Sequence, residues 1–171
     1  TIWVDSDFGK GSTFYFTAAF ERQPEDQQSV VRAPIDIKDF SVFIVDDNET
    51  SLQVMSEMMR SFGFSVEVAA SGEEALQTLH AKAADNTLLS EVDLILMDWL
   101  MPNLDGIETS EVIKKDPRLA HIPIIMMTAF GKEEQMRRAE AAGIEAFLIK
   151  PIRQSVCFDT IMNVMGYQAS G

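Results

Sequence analysis

The chain has 171 residues, with 14 basic against 27 acidic side chains and a formal net charge of −13. That balance excludes a nucleic-acid-binding surface, which needs clustered Lys and Arg, and the 46% hydrophobic content excludes a disordered tail. A single cysteine, Cys157, rules out an internal disulfide framework, and no apolar run approaches the roughly 20 residues that span a bilayer.

In chain order, residues 1–20 read as a hairpin: Ile2-Trp3-Val4, a turn at Asp7-Phe8-Gly9-Lys10-Gly11, then Thr13-Phe14-Tyr15-Phe16-Thr17. Glycines between short β-branched and aromatic runs are a strand–turn–strand signal. A lone hairpin is marginal in water, so this one is expected to belong to a larger sheet, and the opening at Thr1 reads as a cut in a longer protein. Residues 21–39 are polar, carry prolines at 24 and 34, and read as a linker. From Phe40 short apolar runs alternate with helical ones. Strands are expected over Ser41–Val45, Phe64–Val68, Asp93–Met97, Pro123–Met127 and Ala146–Ile149. Helices follow them over 49–62, 72–83, 105–115, 132–142 and 154–165, leaving 168–171 as a tail. The first helix shows its period in Leu52, Met55, Met59 and Phe62, with Gly63 as its stop. Strands each followed by a helix imply a doubly wound α/β domain, with a parallel sheet and helices on both faces.

In such sheets ligands bind outside the carboxyl ends of the strands. The residues after the apolar runs are Asp46 and Asp47, then Asp98, Thr128 and Lys150. Taken singly, Asp46, Asp47 and Asn48 read as helix caps, Thr128 as a turn residue and Lys150 as a solvated charge. Jointly they put three carboxylates, a hydroxyl and an ammonium on one sheet edge. Two carboxylates about 4 Å apart repel by roughly 4 kcal/mol at an effective dielectric near 20, so a cation is required. Oxygen-only ligands suit Mg²⁺. A carboxylate beside a metal can also attack phosphorus.

These residues carry a resemblance. The pair Asp46-Asp47, the run Asp93-Leu94-Ile95-Leu96-Met97-Asp98, then Met101-Pro102-Asn103-Leu104-Asp105-Gly106, Thr128-Ala129 and Lys150-Pro151 stand in the order of a response-regulator receiver domain. Residues 40–167 resemble that family throughout. The resemblance implies a flavodoxin-like sheet of strand order 2-1-3-4-5, and an Asp98 that accepts a phosphoryl group from a phosphohistidine. It implies Mg²⁺ bound by Asp47 directly, by Asp46 through water, by Asp98, and by the backbone carbonyl of Leu100. Thr128 and Lys150 would hold the phosphoryl oxygens, the Lys150–Pro151 peptide would be cis, and Phe147 takes the place of the switch aromatic. The hairpin, with Ile2-Trp3-Val4-Asp5-Ser6 and Gly9-Lys10-Gly11-Ser12-Thr13-Phe14, resembles the end of a histidine-kinase ATP-binding domain. Kinase tail before receiver is the order of a hybrid sensor histidine kinase. That implies a cytoplasmic fragment without its own ATP site, and a parent architecture that is compatible with a membrane anchor. Its partner would be a dimerisation and phosphotransfer domain carrying the phosphohistidine, with no nucleic acid and no membrane contact by this fragment.

Two alternative functions draw on the same residues. A metal-dependent phosphatase with an Asp nucleophile needs two carboxylates separated by one residue on the first strand, whereas Asp46 and Asp47 are adjacent. A degenerate receiver used only for docking is opposed by the complete set of Asp46, Asp47, Asp98, Thr128 and Lys150. Leu100 and Phe130, each two residues beyond a site residue, cannot hydrogen-bond an attacking water, which implies slow loss of the phosphoryl group. Cys157 reads as a buried structural thiol, and His80 and His121 lack metal-ligand spacing.

Overall fold

The computed structural model describes residues 1–19, 40–84, 92–129 and 133–167. The expected linker, the connection 85–91, Phe130 and the tail lie outside the described residues. The chain divides into two units, Thr1–Val30 and Val31–Gly171.

In the first unit, β1 (Ile2–Asp7) pairs antiparallel with β2 (Gly11–Phe16). Both strands run longer than expected, because the register continues from Ile2↔Phe16 down to Asp7↔Gly11. The pairing places Ile2, Val4, Phe14 and Phe16 on one face and a stacked Trp3–Tyr15 pair, with ring centroids 5.4 Å apart, on the other. Every residue of both strands is exposed.

The second unit is built on β3 (Ser41–Val45), β4 (Ser65–Ala69), β5 (Leu94–Asp98), β6 (Ile124–Thr128) and β7 (Ala146–Ile149). They form a parallel sheet of order β4-β3-β5-β6-β7, the expected 2-1-3-4-5 winding. Between and after the strands run α1 (Glu49–Phe62), α2 (Gly72–Ala84), α3 (Gly106–Lys115), α4 (Glu133–Ala141) and α5 (Gln154–Val164). The strand alternation sorts the core into two layers. Val42, Ile44, Leu94, Leu96, Ile125 and Met127 pack under Met55, Met59 and Phe62 of α1 and Cys157, Phe158 and Ile161 of α5. Phe43, Val45, Ile95, Met97 and Met126 face α2 and α3. Full burial of one such side chain, Met59 for example, stabilises by about 1.5–3 kcal/mol.

Three strands begin one residue later than expected, each for a local reason. Phe64 belongs to the cap of α1: Gly63 takes the left-handed conformation (φ 97°), and the N–H groups of Gly63 and Phe64 bond the carbonyls of Arg60 and Met59. Asp93 spends its carboxylate on the Ser41 N–H at 2.8 Å, and Pro123 has no N–H to give a ladder. At the other end, β5 and β6 run on through Asp98 and Thr128, which pair with Met127 and Ile149. The Lys150–Pro151 peptide is cis, as the resemblance implied.

The Cys157 thiol has no exposed surface, and burial pushes its pKa up to about 12. Thiolate is the reactive form. At pH 8 an aromatic disulfide reagent should leave the native thiol untouched and titrate one thiol per chain in denaturant. Rapid native reaction would place Cys157 outside the core. His80 approaches Asp116 at 3.7 Å.

Candidate functional site

The site grows from the carboxyl ends of four strands. Asp46 follows β3, Asp98 ends β5, Thr128 ends β6 and Lys150 follows β7. Asp46 is 1% exposed, Asp98 7% and Thr128 6%, while Asp47 stands in solvent. Lys150 reaches across the edge, its Nζ donating to Asp46 Oδ2 at 2.8 Å and to Asp98 Oδ1 at 2.5 Å. The remaining oxygens take backbone donors: Asp46 Oδ1 accepts from the Asn48 N–H at 2.9 Å, and Asp98 Oδ2 from the Leu100 N–H at 3.1 Å. The strands are held to one another beside these groups by Asp46 N–H to Ala69, Trp99 N–H to Met127 and Lys150 N–H to Thr128 carbonyls. Among the described residues no buried side-chain polar atom lacks a hydrogen-bond partner.

Electrostatics follow from that packing. Burial pushes the Asp98 carboxyl above its ordinary pKa; the Lys150 hydrogen bond and charge pull the other way, and neighbouring Asp46 adds to the rise. For Lys150 burial works to lower the pKa, but the bonds to Asp46 and Asp98 outweigh it and hold the ammonium above its usual value. Asp46, Asp47 and Asp98 each offer an oxygen, all within 4.8 Å of one another. Unit charges at that spacing repel by about 3.5 kcal/mol per pair at an effective dielectric near 20. One ammonium cannot balance three carboxylates. An oxygen-only donor set, with Asp47 open to water, fits a hard divalent cation that retains part of its hydration, as Mg²⁺ does.

Two expected residues add no charged side chain to the cluster, and Leu100 meets it through its backbone. The Leu100 side chain is 73% exposed, and its N–H already serves Asp98. Phe147 lies within β7, opposite Met126, half-buried against the layer that faces α2 and α3. Sequence reading missed the backbone donors of Asn48 and Leu100, which no side-chain pattern signals. It also passed over the depth of Trp99, 5% exposed directly beside Asp98.

Comparison with known proteins leads to the same place. The family description "Response regulator receiver domain" matches residues 42–162. The polar-differentiation response regulator DivK of Brucella ovis is 34% identical over 126 residues, covering 74% of this chain and 96% of its own. The crystal structure of chemotaxis protein CheY4 of Vibrio cholerae superposes with a TM-score of 0.65 at 27% identity, covering 73% of this chain and 98% of that one. The receiver domain of sensor histidine kinase PA1611 from Pseudomonas aeruginosa superposes with a TM-score of 0.62 at 26% identity, covering 74% and 98%. That structure has a magnesium ion coordinated in its active-site cleft. With the sheet order, the acidic edge and the match over most of its length, this chain belongs to the response regulator receiver domain family.

Proposed function

We propose that the chain is the receiver of a hybrid sensor histidine kinase, and that Asp98 accepts the phosphoryl group in a Mg²⁺-dependent phosphorelay. The observation that carries the reading is Asp98 itself: a buried carboxylate at a strand end, beside two further carboxylates and under the ammonium of Lys150. In the transfer, Asp98 Oδ forms a bond to phosphorus while the P–N bond to the donor imidazole breaks. The imidazole nitrogen leaves with the electron pair and takes a proton from solvent. Asp46, Asp47, Asp98 and the Leu100 carbonyl would hold Mg²⁺, which when bound offsets charge on the phosphoryl oxygens. Lys150 then exchanges a carboxylate oxygen for a phosphoryl oxygen, and the Thr128 hydroxyl donates to another. Movement of Thr128 inward lets Phe147 follow, biasing a two-state equilibrium on the face of α4, β7 and α5.

The donor in this reading is a histidine-kinase dimerisation or phosphotransfer domain, and the compartment is the cytoplasm. No helix among the described residues is long and apolar enough to cross a membrane. A groove of about 360 Å³ beside the site, lined by Val54, Met55 and Met58 of α1 and by Lys150, Pro151 and Ile152, gives such a donor apolar surface to meet. The hairpin 1–20 is assigned to the end of a kinase ATP-binding domain on its exposed apolar face, with 21–39 as linker and 40–167 as receiver.

The test uses Trp99. Mg²⁺ and then a small acyl phosphate should change its fluorescence stepwise, against a constant Trp3 background, and the Phe147 ring resonances should shift in the second step. No response would favour a docking module without chemistry; fluorescence change without a Phe147 shift would remove its switch role. Exposed, apolar Leu100 cannot orient water at the phosphoryl group. Leu100→Asn is therefore expected to speed loss of phosphate several-fold, short of the roughly 10²–10⁴-fold that a fully positioned acid or base contributes; an unchanged half-life would refute this.

A further inference from the structure

The loop between β5 and α3 is gripped by two glycines at spacings that leave no room for a side chain. Gly106 opens α3 and donates its N–H to the Trp99 carbonyl at 2.9 Å, closing the loop on itself. A Cβ on Gly106 would run into the Asp98 carbonyl oxygen and lie 3.1 Å from Met126 Sδ. On the other side stands Gly72, the first residue of α2. A Cβ there would run into Thr109 Oγ1 and lie 3.0 Å from the Leu104 carbonyl oxygen. Thr109 has little freedom to yield, being fully buried with its hydroxyl donating to the Asp105 carbonyl at 2.7 Å. Asp105 in turn caps α3 in a reciprocal box with Glu108. Neither Gly72 nor Gly106 is among the glycines of positive φ. Their backbones would therefore accept alanine, the better helix former. Space, not conformation, explains glycine at both positions.

We propose that Gly72 and Gly106 are positioning residues of the acidic site. The first turn of α2 presses on Leu104 and Thr109, the first turn of α3 on Asp98, and together they set where the Asp98 carboxylate and the Leu100 backbone stand relative to Asp46 and Asp47. The inference rests on reading those residues as a Mg²⁺ and phosphoryl site. The loop transmits the setting directly, because Leu100 N–H bonds Asp98 Oδ2 at 3.1 Å. Mg²⁺ demands near-ideal octahedral geometry, so a displaced oxygen is felt as lost affinity.

The experiment titrates Mg²⁺ into the metal-free full chain by calorimetry and by Trp99 fluorescence, with urea unfolding run alongside. Gly72→Ala should weaken Mg²⁺ binding by about tenfold or more, the scale on which residues supporting metal ligands act. Adding Thr109→Ala, which removes the atom the new methyl strikes, should restore most of that affinity relative to Thr109→Ala alone. Gly106→Ala, whose methyl meets backbone, should weaken binding further. Unchanged affinity in Gly72→Ala, or a loss that Thr109→Ala does not relieve, overturns the proposal. Should Gly72→Ala fail to fold, Thr109→Ile enlarges the side chain that faces Gly72 and should weaken Mg²⁺ binding in the same way, and unchanged affinity there overturns the proposal equally. Absence of Mg²⁺ binding in the wild type would instead strike the site reading itself.

Discussion

Asp98→Asn should abolish phosphoryl uptake from an acyl phosphate, and with it the donor-dependent change in Trp99 fluorescence, while leaving the fold intact. Asparagine keeps the shape of the side chain, and its carbonyl oxygen can still accept from Lys150 Nζ, which meets Asp98 Oδ1 at 2.5 Å in the native site. It lacks the anionic oxygen that attacks phosphorus. Loss of one charge from a cluster of three carboxylates also relieves repulsion. Stability in Mg²⁺-free buffer should therefore be kept or raised, and a urea titration reads this directly. The two measurements together separate a chemical role from a structural one. A variant that unfolds would show Asp98 to be needed for packing, and a folded variant that still takes up phosphate would place the acceptor elsewhere.

The layered sheet was legible because its signals are long-range in sequence and redundant. Leu94 to Met97 and Ile124 to Met127 are uninterrupted apolar runs, and both are buried on both faces. The strand ends were harder, since Asp98 and Thr128 are polar and yet remain in the ladder through Met127 and Ile149. A polar side chain says nothing about whether its own N–H and C=O are still paired. The site was legible as a set of residue types at strand ends, in the order of a known family. Its wiring was not. That Lys150 bridges Asp46 and Asp98, leaving Asp47 open to water, depends on side-chain reach across 104 and 52 positions of sequence. The same limit hid the close approach of Gly72 to the Thr109 hydroxyl, which lies 37 positions downstream.

Lys150→Met should destabilise the Mg²⁺-free protein by about 2–3 kcal/mol, less than the roughly 3–5 kcal/mol typical of a broken fully buried pair, because Lys150 keeps 30% exposure. Methionine retains the length of the stem but removes the only ammonium bonded to Asp46 Oδ2 and Asp98 Oδ1 among the described contacts. Asp46 is 1% exposed and has no access to bulk water as a substitute. A bound divalent cation supplies the missing charge at the same oxygens, so the variant should bind Mg²⁺ more tightly than the wild type, and at saturating metal each tenfold difference in Kd narrows the gap by about 1.4 kcal/mol. Urea unfolding with and without Mg²⁺ should thus show the gap between variant and wild type closing when the metal is present. Phosphoryl uptake should not recover with it, because the proposed contact of Lys150 with a phosphoryl oxygen is still missing. Recovery of both would reduce Lys150 to a counter-ion that Mg²⁺ can replace; recovery of stability alone assigns it a second role on the phosphoryl group.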